Sequence, residues 1–187
     1  MNLTGRLVRL RAAEERDVPA IVALLSDPQV AAGLGPWAWN PYGEQDARRF
    51  LQQPDPRSAD WAIEDLGDGA FVGITGLSRI DYQDHNAAWG IWLGPPDRWD
   101  RGLGSEACAL VARFAFEHLG LEKVWAQVPE TNPRARRAAE KAGFELEGTL
   151  ARHVFVDGVL VDAHVLSAFR DHPLYTRPAT SEVGSWI

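Results

Sequence analysis

The stretch from Ala87 to Gly120 restricts the fold more than any other. An apolar, Trp-rich strand, Ala87 to Leu93, runs into Gly94-Pro95-Pro96-Asp97-Arg98-Trp99-Asp100-Arg101-Gly102-Leu103-Gly104. A helical pattern opens at once at Ser105, continues to about Leu119 and is closed by Gly120. A helix start exposes N–H groups without intrahelical partners and carries partial positive charge, so such a corner can hold a phosphate. Glycines at 102 and 104 let an anion approach the backbone with no Cβ in the way. Arg98 and Arg101 place positive charge at the rim. A plain strand-to-helix turn could use the same residues.

The rest of the chain surrounds this corner with a mixed sheet. Leu7 to Arg11 alternates and predicts a first strand with its charged positions outward. A helix is expected from about Glu14 to Ser26, stopped by Asp27-Pro28. Gly33 to Tyr42 reads as a loop, and a second helix runs from about Gly43 to Gln52. Strands follow at Asp60 to Asp65 and Ala70 to Leu77, joined through Leu66-Gly67-Asp68-Gly69. After the central helix come a strand at Val124 to Val128 and a helix from Asn132 to Ala142. That helix carries Asn132 as N-cap, Pro133 in the first turn and Gly143 past its end. Two closing strands, about Glu145 to Phe155 and Leu160 to Phe169, meet at Asp157-Gly158. The order β-α-α-β-β-β-α-β-α-β-β excludes a purely parallel sheet and fits one α/β (mixed α+β) domain over residues 1–170, with a tail over 171–187.

Composition excludes several classes. With 187 residues, 45% of them hydrophobic, the chain can build a core. A net charge of −7 argues against general nucleic-acid binding. The lack of an 18-residue apolar run argues against a membrane span. The single cysteine, Cys108, cannot form an internal disulfide and suits a reducing cytoplasm. It lies among Ala107, Leu110, Val111 and Phe114 and reads as a buried small hydrophobe rather than a nucleophile.

Two readings compete for the glycine loop. Gly102-x-Gly104-x-x-Ala107 satisfies the dinucleotide fingerprint, but eight residues separate Leu93 from Gly102 and the run of βαβ units is missing. The second reading is a resemblance. Trp99-x-x-Gly102-x-Gly104-Ser105-Glu106-Ala107 is similar to the acetyl-CoA-binding motif of GCN5-related N-acetyltransferases (GNAT), in the form found in their RimJ/RimL-like branch. Arg6 to Arg11 with Asp17, Ser26-Asp27-Pro28, Asn132-Pro133-x-Ala135, Glu140-Lys141-Ala142-Gly143-Phe144, Glu147-Gly148, Asp157-Gly158 and Asp162 resemble further blocks of that branch, in order.

The resemblance implies a mostly antiparallel sheet of about seven strands, splayed at the cofactor site, with about four helices on its faces. It implies acetyl-CoA as cosubstrate, no metal, and a primary amine as acceptor: a protein N-terminus or a small molecule. The pyrophosphate would meet Arg101, Gly102, Leu103, Gly104 and Ser105, with Arg98 at the rim. The pantetheine arm would pair near Trp92 and Leu93 and touch Asn132. A backbone N–H near Leu93 would face the oxyanion. Glu106 should point away from the bound phosphates, since like charges repel. Arg134, Arg136 and Arg137 are candidates for a further phosphate. Trp37 and Trp39 fall where the family builds its acceptor wall, and core packing or a homodimer contact explains them equally well.

The sequence departs from the family where acids and bases are expected. Ala88, Ala135 and Ala139 occupy three positions at which relatives carry catalytic side chains. Asp81, Asp84, His85 and Glu64 remain as candidates, with Asp84 and His85 foremost. The alanines leave open a non-catalytic acyl-CoA-binding domain as the alternative to an enzyme.

Overall fold

The computed structural model describes residues 1–34, 36–52 and 55–176; the side chains of Pro36 and Trp37 are outside that description. The strands are β1 (Leu3–Thr4), β2 (Val8–Arg11), β3 (Ala59–Asp65), β4 (Phe71–Asp81), β5 (Asn86–Leu93), β6 (Lys123–Pro129), β7 (Glu145–Val156) and β8 (Val159–Phe169). The helices are α1 (Val18–Leu25), α2 (Pro28–Ala31), α3 (Glu44–Gln52), α4 (Leu103–Glu117) and α5 (Pro133–Lys141). One sheet of eight strands has the order β1-β2-β3-β4-β5-β6-β8-β7. Only the β5–β6 pair is parallel. No described helix is long and apolar enough to cross a membrane.

The mixed, mostly antiparallel sheet is as expected; among the described residues it has eight strands and five α-helices, against about seven and about four expected. β1 is two residues long, too short to show a period; it pairs with Arg9 and Leu10, and Leu3 packs against the core. The additional helix is α2. Asp27-Pro28 does end α1, but Asp27 also caps the next helix by accepting from the Gln29 N–H at 2.8 Å, and Pro28 starts it. Proline suits a first helical position because its missing N–H has no partner there. The same chemistry recurs at α5, where Asn132 Oδ1 accepts from the Ala135 N–H at 3.1 Å.

Alternation in the inner strands separates two cores. On one face Val8, Leu10, Trp61, Ile63 and Val72 pack beneath Ala107, Cys108, Val111 and Phe116 of α4. On the other, Ala62 and Ile74 meet Ile21, Leu24 and Leu25 of α1, Val30 of α2 and Ala47 of α3. Gly73 lets β4 and β5 approach at this level: it has φ +155°, and a Cβ there would lie 2.0 Å from the Trp92 carbonyl oxygen. Past the last strand, Tyr175 is buried, donates a hydrogen bond to the Ala142 carbonyl and packs on Phe116 at 4.9 Å. The tail beyond Thr176 lies outside the described residues.

Arg11 corrects the expectation that the first strand's charges point outward. Its side chain is buried, with Nη1 2.8 Å from Asp17 Oδ2 and Nε 2.8 Å from Glu64 Oε2. Arg9 adds a second ion pair to Glu64. The three central side chains are each under 10% exposed. Burial acts to raise the Asp17 carboxyl, but the bonds from Arg11 and the Glu14 N–H outweigh it and hold it below the usual range. The Arg11 bond likewise holds Glu64 down. This triad fastens β2, β3 and the turn before α1 together.

Candidate active site

β5 and β6 pair only over Asn86–Ala88 with Lys123–Trp125 and then diverge. In a strand the N–H and C=O of one residue point to the same edge and those of the next residue to the other. The Gly94 N–H donates to Val72 O at 3.0 Å and Trp92 O lies against Gly73, so the backbone groups of both residues face β4. Those of Leu93 therefore face the split. Of the two residues expected to meet a pantetheine arm, Leu93 lines the cleft at this split. Trp92 packs away on Phe50, with ring centroids 5.3 Å apart.

The amino end of α4 closes the split. Gly102 is its N-cap with φ +87°, a left-handed conformation that favours glycine. The first intrahelical bond there runs from the Glu106 N–H to Gly102 O at 3.0 Å, so the N–H groups of Leu103, Gly104 and Ser105 precede the helix ladder. These residues, with Gly102, line a cleft of about 610 Å³. The facing wall is α5, which presents Asn132, Arg134, Ala135, Arg137, Ala138 and Lys141. Trp99 Nε1 donates to Leu93 O at 2.7 Å, and the Arg134 guanidinium lies 3.8 Å from the Trp99 ring centroid. Trp99 thus links the split strand to α5.

Glu106 faces away from the cleft, as expected. Its carboxylate accepts from the backbone N–H groups of Arg6 (2.9 Å), Leu7 (2.6 Å) and Val8 (2.8 Å). It therefore anchors the first turn of α4 to the β1–β2 turn. Glu106→Ala leaves these donors without their acceptor. It should cost about 3 kcal/mol, given that hydrogen bonds to charged groups contribute roughly 1.5–3 kcal/mol each and do not add fully. Thermal denaturation should then show a midpoint lower by about 6–12 °C. An unchanged midpoint would remove Glu106 from the support of the loop.

The expected cations separate by partner. Arg98 is held by Asp65 at 2.9 Å and Asp68 at 2.7 Å, so it fastens the loop to the β3–β4 turn while still lining the cleft. Arg101 is half exposed and lies 3.3 Å from Asp65. Arg136 pairs with Glu140 at 2.8 Å and does not line the cleft, whereas Arg134 and Arg137 do. Lys141 also lines it. In the sequence Lys141 belongs to the Gly143-Phe144 block and carries no site signal of its own, although its spacing from Arg134 and Arg137 places it on the same helix face.

Asp84 and His85 are not brought to the site. They sit in the β4–β5 turn, and His85 is roughly 26 Å from Leu93 along a strand rising about 3.3 Å per residue. His85 Nδ1 lies 3.2 Å from Gly120 O. Asp81 accepts from the N–H groups of Gln83 and Asp84, and Glu64 belongs to the buried triad. Ala88 and Ala139 are buried, and Ala135 lines the cleft. The Cys108 thiol is fully buried and burial pushes its pKa well up, which withholds a thiolate.

A second cavity of about 630 Å³ adjoins the cleft. Ala32 and Asp157 line both. Trp39, which is 44% exposed, forms part of its wall with Tyr42, while the Trp37 side chain is outside the described residues. Burial, with a smaller contribution from Asp46, raises the Tyr42 phenol and keeps it neutral. Asp157 and Tyr42 were not singled out from sequence as site residues, since neither carries a local signal for this placement.

The split sheet, with a helix start at its mouth, defines an acetyltransferase-type architecture, and comparison with known proteins agrees. The profile of the family described as "Acetyltransferase (GNAT) domain" matches residues 7–145. The chain belongs to the GNAT acetyltransferase family. It is 28% identical over 169 residues to the uncharacterized N-acetyltransferase YoaA of Bacillus subtilis, covering 88% of this chain and 93% of that protein. It is 26% identical over 152 residues to a spermidine N(1)-acetyltransferase of Vibrio cholerae, covering 80% and 85%. The crystal structure of a Vibrio cholerae spermidine N-acetyltransferase with CoA and spermine superposes with a TM-score of 0.77 at 22% identity, over 89% of this chain and 97% of that one. That of a GNAT-family acetyltransferase from Bacillus anthracis gives 0.79 at 19%, over 92% and 100%. At these identities the structural matches speak to the fold.

Proposed function

We propose that the protein transfers the acetyl group of acetyl-CoA to a primary amine by direct attack. The observation that carries this reading is the split between β5 and β6 opening onto the first turn of α4. The N–H groups of Leu103, Gly104 and Ser105 receive the pyrophosphate, with Gly102 and Arg101 beside them. The Leu93 N–H pairs with the pantetheine arm or with the oxyanion that develops next to it. Asn132 reaches the arm with its Nδ2, its Oδ1 already capping α5. Arg134, Arg137 and Lys141 meet the remaining phosphate.

The neutral amine attacks the thioester carbon, a C–N bond forms, and the C–S bond breaks as the oxyanion collapses. An ammonium acceptor loses one proton before attack and the new amide nitrogen loses another. One of these goes to the leaving thiolate and one to solvent. With alanines at 88, 135 and 139, the main contribution assigned to the protein is positioning of the two substrates. Trp99-x-x-Gly102-x-Gly104 together with the Asn132 and Gly143-Phe144 blocks supports placement in the RimJ/RimL-like branch. The continuous sheet supports a single domain over residues 1–170, and the lone buried thiol supports a cytoplasmic setting.

Thermal melting with acetyl-CoA, with NAD in parallel, tests the reading. Ligand at about 100 times its dissociation constant stabilises by roughly 2.7 kcal/mol, a rise of about 5–11 °C here. A rise with acetyl-CoA alone is expected. No rise, or one only with NAD, would reject it.

A further inference from the structure

The second cavity differs in chemistry from the cleft it adjoins. Its wall is largely apolar, with Leu25, Pro28, Ala38, Trp39 and Pro41 and the neutral phenol of Tyr42. Among the described residues Asp157 is the one carboxylate that lines it, and Asp157 also lines the cleft. The side chain stands at the tip of the β7–β8 hairpin. There Asp157 has φ +47° and Gly158 φ +86°, the left-handed pair of a tight primed turn. Among the described residues no cation is paired with it, whereas neighbouring acids are otherwise engaged. Asp162 accepts from the Arg152 N–H at 2.8 Å, and Glu130 accepts from the Asp162 N–H at 3.1 Å.

We infer that the second cavity binds a primary monoamine with an apolar or aromatic body, its amino group held by Asp157 at the junction with the cleft. This rests on the acetyl-transfer reading and names its acceptor class. The body lies against Trp39 and Tyr42, where an aromatic face also attracts a cation. The amino group then faces the cleft, in which the thioester is placed beside Leu93. A polyamine is a poor occupant. It carries further ammonium groups a few carbons apart, and the described wall offers them no second carboxylate, so each would lose hydration without gaining an ionic partner.

The test measures CoA release with 2-phenylethylamine, spermidine and a short peptide with a free N-terminus, for the wild type, Asp157→Asn and Asp157→Glu. Wild type should use 2-phenylethylamine with kcat/KM at least tenfold above spermidine and the peptide. Asp157→Asn should raise its KM at least tenfold with a smaller change in kcat, the pattern of lost ground-state binding. Asp157→Glu should recover part of the loss, which a merely structural role for the turn would not give. Preference for spermidine or the peptide, or an unchanged KM in Asp157→Asn, overturns the inference. So does a wild type that melts higher with acetyl-CoA yet acetylates no monoamine. Absence of any acetyl-CoA shift would instead be a failure of the acetyl-transfer reading itself, so the two failures are distinguishable.

Discussion

Gly104→Trp should abolish the acetyl-CoA-induced rise in melting temperature. Position 104 is buried in the first turn of α4, and a Cβ there would meet Leu93 Cδ2 at 3.4 Å, Ile91 Cδ1 at 3.7 Å and the Ala138 Cβ at 3.9 Å. All three residues line the cleft, so the side chain enters the space assigned to the phosphates and pantetheine arm. An indole there should weaken acetyl-CoA at least 100-fold, about 2.7 kcal/mol, enough to erase the shift. Gly104→Ala places its methyl group at near-ordinary contact distances and should retain most of the shift. It separates loss of space from loss of the helix. A normal acetyl-CoA response in Gly104→Trp would show that the cofactor lies elsewhere.

Arg11→Met should destabilise the fold strongly through β2. It leaves Asp17 and Glu64 buried without their shared guanidinium, and breaking a buried ion pair in this way costs about 3–5 kcal/mol. The melting midpoint should fall by about 6–20 °C. The pH dependence should also change sign. In the wild type both carboxyls are held below their unfolded values, so their contribution is complete above about pH 5 and is lost as the pH falls through their folded pKa values. In Arg11→Met burial, the largest influence on Asp17, acts against only the Glu14 N–H bond and the attraction of Arg16 and raises that carboxyl, whereas Glu64 keeps its ion pair with Arg9. At Asp17 the folded state then binds a proton more tightly than the unfolded one, and lowering the pH from about 7 to 5 should stabilise the variant. Equal midpoints at both pH values would show that the triad contributes no linked stability.

The parts of the site legible in the sequence were those built within a few residues. Gly102 and Gly104 before a helical period mark the start of α4, and Asn132-Pro133 marks that of α5. Both are recognised by caps and φ preferences acting over one turn. Glu106 could be turned away from the cleft in advance, because a carboxylate beside a phosphate is repelled, but its true partners are some 100 residues earlier in the chain. Asp84 and His85 looked eligible because they are polar and precede β5. The antiparallel run of β5 carries the chain the length of the strand away from them before it reaches the cleft.

The sequence by itself determined the order of the longer strands and helices, the Asn132 cap of α5 and the family to which the chain belongs. Hydrophobic period, caps and turn residues are local, and several motifs in register are specific together. Only the tertiary structure decided that β5 and β6 part after Ala88, that Arg11 is buried between two carboxylates, and that Asp157 and Trp39 line one cavity. Each of these depends on which distant strand or turn is brought alongside. That choice is made by packing on both faces of one sheet, and no spacing along the chain encodes it.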